Sequence, residues 1–122
     1  MSRRRFAVVL AAMVVAGAPA AACAHAFLDH AVPPVGGTVT AAPTEVRLYF
    51  SEAVEALFSG AELATAAGQP IATPRAIVAA GDKTQLILKL PPLQRGKYRV
   101  RWHVVSVDTH RTEGDFTFEI RR

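Results

Sequence analysis

Apolar and polar residues alternate with a period of two along several short stretches of this chain. In residues 45–51, valine, leucine and phenylalanine take every second position, with arginine and tyrosine between them. The same alternation recurs in residues 84–90, 98–107 and 116–120. Because successive side chains of a strand point to opposite faces of a sheet, these stretches predict strands with one buried face.

Glycine and proline separate the predicted strands. Gly36-Gly37 marks a bend before a short strand over residues 38–40. Gly81-Asp82-Lys83 predicts a hairpin that joins strands over residues 75–80 and 84–90.

Helical periodicity is weak throughout the chain. Residues 53–58 fit either a strand or a helical turn, and no amphipathic pattern extends further than that. About seven short strands at this spacing are typical of immunoglobulin-like domains. The pattern therefore predicts an all-β fold, a two-sheet antiparallel β-sandwich with Greek-key connections.

The first 24 residues have the three parts of a secretory signal peptide. Three arginines lie in Met1–Arg5, and the apolar run over residues 6–18 is shorter than the ~20 residues of a membrane-spanning helix. Ala22-Cys23-Ala24 fits the small residues that precede a cleavage site, so we expect a mature domain of residues 25–122. A retained anchor, a lipidated cysteine, a neighbouring cleavage site and the choice between Sec and twin-arginine export stay open.

Cleavage would change the charge and the thiol content of the chain. The net charge of the whole chain is +4, and three of its basic residues belong to Met1–Arg5. The mature domain is then nearly neutral, which argues against a nucleic-acid partner. The single cysteine, Cys23, is removed as well, so the sandwich is expected to have no disulfide.

Asp108 and His110 are the clearest candidate metal ligands. If the strand predicted over residues 98–107 continues through them, their side chains share one face. Cleavage after Ala24 would give His25 a free amine beside its imidazole, and the amine and Nδ1 can close a six-membered chelate on one ion. Three nitrogens and one oxygen suit Cu(II), which also binds most tightly in the divalent series. Zinc is the competitor, but it prefers tetrahedral sites.

Several spaced motifs resemble the CopC family of periplasmic copper-binding proteins. The resemblance covers essentially the whole mature chain, and the motifs occur in the family's order. They are His25-Ala26-Phe27-Leu28, Pro33-Pro34-Val35-Gly36-Gly37, residues 46–54, residues 96–102 and Ser106-Val107-Asp108-Thr109-His110.

The resemblance implies a β-sandwich that binds one Cu(II) per chain through His25, Asp108 and His110. Thr109 stands where the family usually has glycine. Glu52 is a candidate for a carboxylate that orients a ligand. Some members add a methionine-rich Cu(I) loop that this chain lacks, and Met1, Met13 and Cys23 lie in the predicted signal peptide, so the Cu(II)-only type is expected.

Three functional classes remain open from the sequence. The first is a monomeric periplasmic protein that stores or carries copper for resistance, without catalysis, with an inner-membrane copper importer as a candidate partner. The second is a small copper oxygenase similar to lytic polysaccharide monooxygenases, and the third is a metal-free interaction module. His30 and His103 are interpreted as surface histidines, although His30 is close enough to the terminus to be a spare ligand.

Overall fold

The computed structural model describes residues 25–121 of the chain, which form nine β-strands and one short 3-10 helix. The predicted signal peptide, residues 1–24, lies outside the described residues. The 3-10 helix is Ala56–Phe58. The strands are β1 Leu28–Val32, β2 Thr38–Val39, β3 Glu45–Phe50, β4 Gly60–Thr65, β5 Pro70–Ile71, β6 Ile77–Ala79, β7 Asp82–Lys89, β8 Gly96–Val105 and β9 Arg111–Ile120.

The strands form two sheets, which confirms the predicted β-sandwich. One sheet has the order β1-β3-β7-β6 and the other the order β2-β9-β8-β4-β5. Neighbouring strands are antiparallel except for β2 and β9, which run parallel over a two-residue contact. Within residues 25–121, no helix has the length and apolar character needed to cross a membrane.

The core lies between the sheets and follows the alternation in the sequence. On β3 the predicted inward residues Val46, Leu48 and Phe50 are all buried. On β8 and β9 the same holds for the alternating set Tyr98, Val100, Trp102, Val104, Phe116, Phe118 and Ile120. These side chains make one continuous apolar cluster, the main source of stability in a domain of this size.

Strand β7 departs from simple alternation. Leu86 and Leu88 are fully buried as predicted, but Ile87 between them is only 7% exposed. Ile87 lies opposite Ile77 on one side and Arg47 on the other, so neighbouring side chains cover it on the outer face of the sheet. The predicted hairpin is confirmed as β6–β7, and its turn is shorter than predicted because Ala79 already pairs with Asp82.

The strand predicted over residues 98–107 ends at Val105. Ser106 makes an isolated bridge to Val54, and residues 107–110 form the loop that leads into β9. The expectation that Asp108 and His110 extend from a strand was therefore wrong. The physical reason is a turn: Thr109 has φ of 73°, and its N–H donates to Ser106 O at 2.8 Å.

Gly114 on β9 leaves the space that the indole of Trp102 occupies. A Cβ on Gly114 would lie 2.7 Å from Trp102 Cζ2, and that ring is buried against Phe50. We expect Gly114→Ala to lower the free energy of unfolding by about 1–3 kcal/mol, since a rigid core ring must move. Urea denaturation with a linear extrapolation measures the change.

Gly60→Ala is the matched control for this substitution. Its Cβ would lie 2.8 Å from His103 Cε1, an equally short contact, but His103 is a half-buried side chain that can rotate towards solvent. Both substitutions share the gain from removing a flexible glycine from a strand. An equal loss for the two variants would contradict the assignment of the cost to the Trp102 ring.

Candidate metal centre

Hydrogen bonds fix the N-terminal segment, residues 25–27, between the end of β3 and the start of β9. Ser51 N–H donates to Phe27 O at 2.8 Å, and Phe27 N–H donates to the Ser51 hydroxyl at 2.9 Å. The Thr112 hydroxyl donates to Ala26 O at 2.7 Å, and the Ala26 side chain is fully buried. These contacts bring His25 to the loop before β9 although more than eighty residues separate them in sequence.

Ser106, directly before the loop over residues 107–110, is hydrogen-bonded to the last residue of that loop. Ser106 N–H donates to His110 O at 2.9 Å, and Ser106 is fully buried. Threonine in the left-handed region of φ is uncommon because its branched Cβ crowds the backbone. The positive φ of Thr109 and the backbone hydrogen bonds to Ser106 define the turn, and Asp108 and His110 lie exposed on it.

The structure places His25 and Asp108 each in contact with His110. The rings of His25 and His110 pack edge to face, with centroids 4.5 Å apart and planes at 74°. Asp108 Oδ2 lies 3.1 Å from His110 Nδ1. The side chains of Asp108 and His110 are 33% and 55% exposed, so an ion in solution can reach them.

His25 Nδ1 is buried and has no hydrogen-bond partner among the described residues. Buried polar atoms in folded proteins usually have at least one partner, because an unpaired one costs the free energy of its lost hydration. A nitrogen of this kind is available to coordinate a metal ion. Across residues 25–121, however, no three histidine, cysteine, aspartate or glutamate side chains already converge closely enough to hold an ion. Binding of one shared ion would therefore require these side chains to move from their present positions.

The Ser106 hydroxyl, which donates to Asp108 Oδ1, lowers the pKa of Asp108. Partial burial opposes this effect, and His110 lowers the pKa further. The carboxyl group therefore stays ionised to lower pH than an ordinary aspartate. An ionised carboxylate is the form that coordinates a metal.

The structure also shows the surroundings of three other residues considered from the sequence, Glu52, His30 and His103. Glu52 is exposed. The contact with the N-terminal segment is made by the hydroxyl of the neighbouring Ser51, not by the Glu52 carboxylate. His30 Nδ1 lies 2.8 Å from Asp29 Oδ2, and its ring stacks on Tyr49. His103 is half-buried on β8 and packs over Gly60.

The sequence analysis did not predict three residues whose hydrogen bonds position the site: Ser51, Ser106 and Thr112. Nothing in the local sequence pattern marks Ser51 or Thr112, because their partners are distant in the chain. Ser106 carried a signal that could have been used. It continues the inward series of β8 by taking the next alternate position after Val104, so its burial follows from the period of two.

Comparison with known proteins identifies the family. The family model described as CopC domain matches residues 28–121, which is most of the chain. The chain belongs to the CopC family.

This chain covers most of the length of several similar proteins and solved structures. Protein YobA of Escherichia coli K12 is 46% identical over 99 residues, with 80% of each chain covered. Copper resistance protein C of Pseudomonas syringae pv. tomato is 39% identical over 94 residues, which cover 72% of this chain and 75% of that protein. The crystal structure of CopC from Methylosinus trichosporium OB3b superposes with a TM-score of 0.74 at 32% identity and covers 79% of this chain and 93% of that one.

Proposed function

We propose that this chain is a periplasmic Cu(II)-binding protein that sequesters or carries copper and performs no catalysis. Residues 1–24 are removed on export, and His25, Asp108 and His110 bind one Cu(II) per chain. The observation that supports this proposal best is the buried Nδ1 of His25, which has no hydrogen-bond partner among the described residues. The His25 ring packs against His110, and His110 in turn lies 3.1 Å from Asp108. A relative in the same family is named copper resistance protein C.

The donor set fits Cu(II). Asp108 Oδ2 and His110 Nδ1 are 3.1 Å apart, close enough for both to bind one ion. His25 would add its ring nitrogen and, once it is the first residue, its terminal amine. Nitrogen and oxygen donors without a thiolate or thioether favour Cu(II) over Cu(I).

The terminal amine gives the decisive test of this proposal. Protein that begins at His25 is expected to bind one Cu(II) more than about 100-fold more tightly than protein that retains Ala24, because one extra residue turns the amine into a peptide nitrogen and removes the chelate. A titration against a Cu(II) chelator of known affinity measures both dissociation constants. The metal-free forms are expected to unfold at the same urea concentration, which shows that the extra residue changes the site alone.

Equal affinities of the two forms would contradict the proposed terminal chelate. A chain that binds no Cu(II) in either form would leave the interaction-module function instead. Peroxide-driven oxidation of a polysaccharide by the copper-loaded protein would favour the oxygenase.

A further inference from the structure

Ser106 is fully buried, yet its side chain is polar. It takes the inward position that follows Val104, where an apolar side chain would pack without loss of hydration. Burying a hydroxyl group is unfavourable unless the group is hydrogen-bonded. The hydrogen bonds of Ser106 therefore explain what the hydroxyl does at this position.

These hydrogen bonds reach both of the proposed loop ligands. The Ser106 hydroxyl donates to Asp108 Oδ1 and lies 3.2 Å from His110 O, while the Ser106 N–H donates to that same carbonyl at 2.9 Å. A hydrogen bond from a hydroxyl to a carboxylate is charge-assisted and stronger than one between neutral groups. Through one buried residue, the carboxylate of Asp108 and the backbone of His110 are held in a fixed relation.

The consequence is an orientation of the Asp108 carboxylate. One oxygen, Oδ1, is occupied by Ser106, and the other, Oδ2, faces His110 Nδ1 at 3.1 Å. The Asp108 side chain is 33% exposed and lies on a loop, so without this contact it would be free to populate other rotamers. A ligand that is already in position costs less conformational entropy when the ion binds.

We propose that Ser106 is a positioning residue of the copper site, which holds Asp108 so that its second oxygen is presented next to His110 before the ion arrives. This inference rests on the proposed Cu(II)-binding function. Ser106 itself does not contact the ion, and it acts through Asp108.

Ser106→Ala removes the hydroxyl and adds no atoms to the buried position. We expect the variant that begins at His25 to bind Cu(II) about 10–100-fold more weakly than the unsubstituted protein, the range found when a group that orients a metal ligand is lost. The electron paramagnetic resonance spectrum of bound Cu(II) is expected to change as well, because the oxygen ligand is less well fixed. Competitive titration and that spectrum are the two measurements.

Ser59→Ala is the matched control. Ser59 is 3% exposed, and its hydroxyl accepts a hydrogen bond from Val105 N–H at 3.2 Å, so it is a second buried serine close to the same loop. The loss of its hydroxyl is expected to lower the urea midpoint while leaving the Cu(II) affinity within about twofold, since it contacts neither Asp108 nor His110. An affinity loss equal to that of Ser106→Ala would assign both effects to general destabilisation and overturn the proposal.

A double-mutant cycle tests the route of the effect. In an Asp108→Ala background, Ser106→Ala is expected to change the Cu(II) affinity by less than about twofold, because the group through which it acts is gone. A full effect in that background would overturn the proposal. Unchanged binding by Ser106→Ala together with lost binding by His25→Ala would overturn it too, while the proposed copper function would stand.

Ser106→Thr keeps the hydroxyl and supplies a second variant if Ser106→Ala does not fold. Cu(II) affinity within about threefold of the unsubstituted protein would support the positioning role of the hydroxyl. Weak Cu(II) binding by folded Ser106→Thr would contradict it. Loss of Cu(II) binding in every form, the unsubstituted protein included, would instead reject the proposed function on which this inference rests.

Discussion

His110→Ala should abolish tight Cu(II) binding while the β-sandwich stays folded. Removing a direct nitrogen ligand should cost more than the ~10–100-fold that losing an outer-shell partner costs. The fold does not depend on the imidazole, because the His110 side chain is 55% exposed and Ser106 bonds to the His110 backbone. Competitive titration of protein beginning at His25 gives the affinity, and urea denaturation of the metal-free protein checks the fold.

The chain contains two further histidines that serve as controls for this substitution. His30 stacks on Tyr49, and His103 packs over Gly60. Among the described residues, no hydrogen bond, ion pair or ring contact joins either of them to Asp108 or His110. His30→Ala and His103→Ala are each expected to leave the Cu(II) affinity within about twofold. Unchanged affinity in His110→Ala, or an equally large loss in His30→Ala, would show that the ion binds elsewhere.

The sheets could be predicted from the sequence because their signal is local. Burial of one face imposes a period of two, and Val46, Leu48 and Phe50 on β3 show that period directly. Ile87 breaks it, because its burial comes from Ile77 and Arg47 on neighbouring strands rather than from its own strand. The parallel pairing of β2 with β9 is of the same kind, since residues about eighty positions apart form it.

The candidate site could be predicted only in part, for a related reason. Its residue types are visible in the sequence, and the resemblance to the CopC family linked His25 with Asp108 and His110. The contacts that join these parts were not visible, because Ser51 and Thr112 act across long stretches of chain. The turn at Thr109 was missed since a left-handed φ is rarely adopted by a β-branched residue.

The rigidity that holds the site comes from the sandwich behind it. β9 begins at Arg111, directly after His110, and continues into the core through Phe116 and Phe118. The N-terminal segment is tied to the same strand by Thr112. Both halves of the candidate site therefore depend on one strand, and the stability of that strand depends on its buried aromatic residues.

Phe118→Ala should lower the free energy of unfolding by about 3–5 kcal/mol, the usual cost of removing a buried phenylalanine. Phe118 is 1% exposed and stacks on Tyr98 with ring centroids 5.7 Å apart, so truncation leaves a cavity between the two sheets. Such a loss is a large fraction of the ~5–15 kcal/mol by which domains are stable. Urea denaturation of the metal-free protein measures it.

Phe58→Ala is the matched control, because Phe58 is the last residue of the 3-10 helix and is 61% exposed. Its truncation should change the free energy of unfolding by less than about 0.5 kcal/mol. Saturating Cu(II) should then raise the stability of both variants by the same amount, since an ion that binds only the folded state stabilises it according to its affinity and not according to the core. A smaller increase in Phe118→Ala would mean that the cavity also disturbs the site at the start of β9, and an equal loss of stability in the two variants would place the core elsewhere.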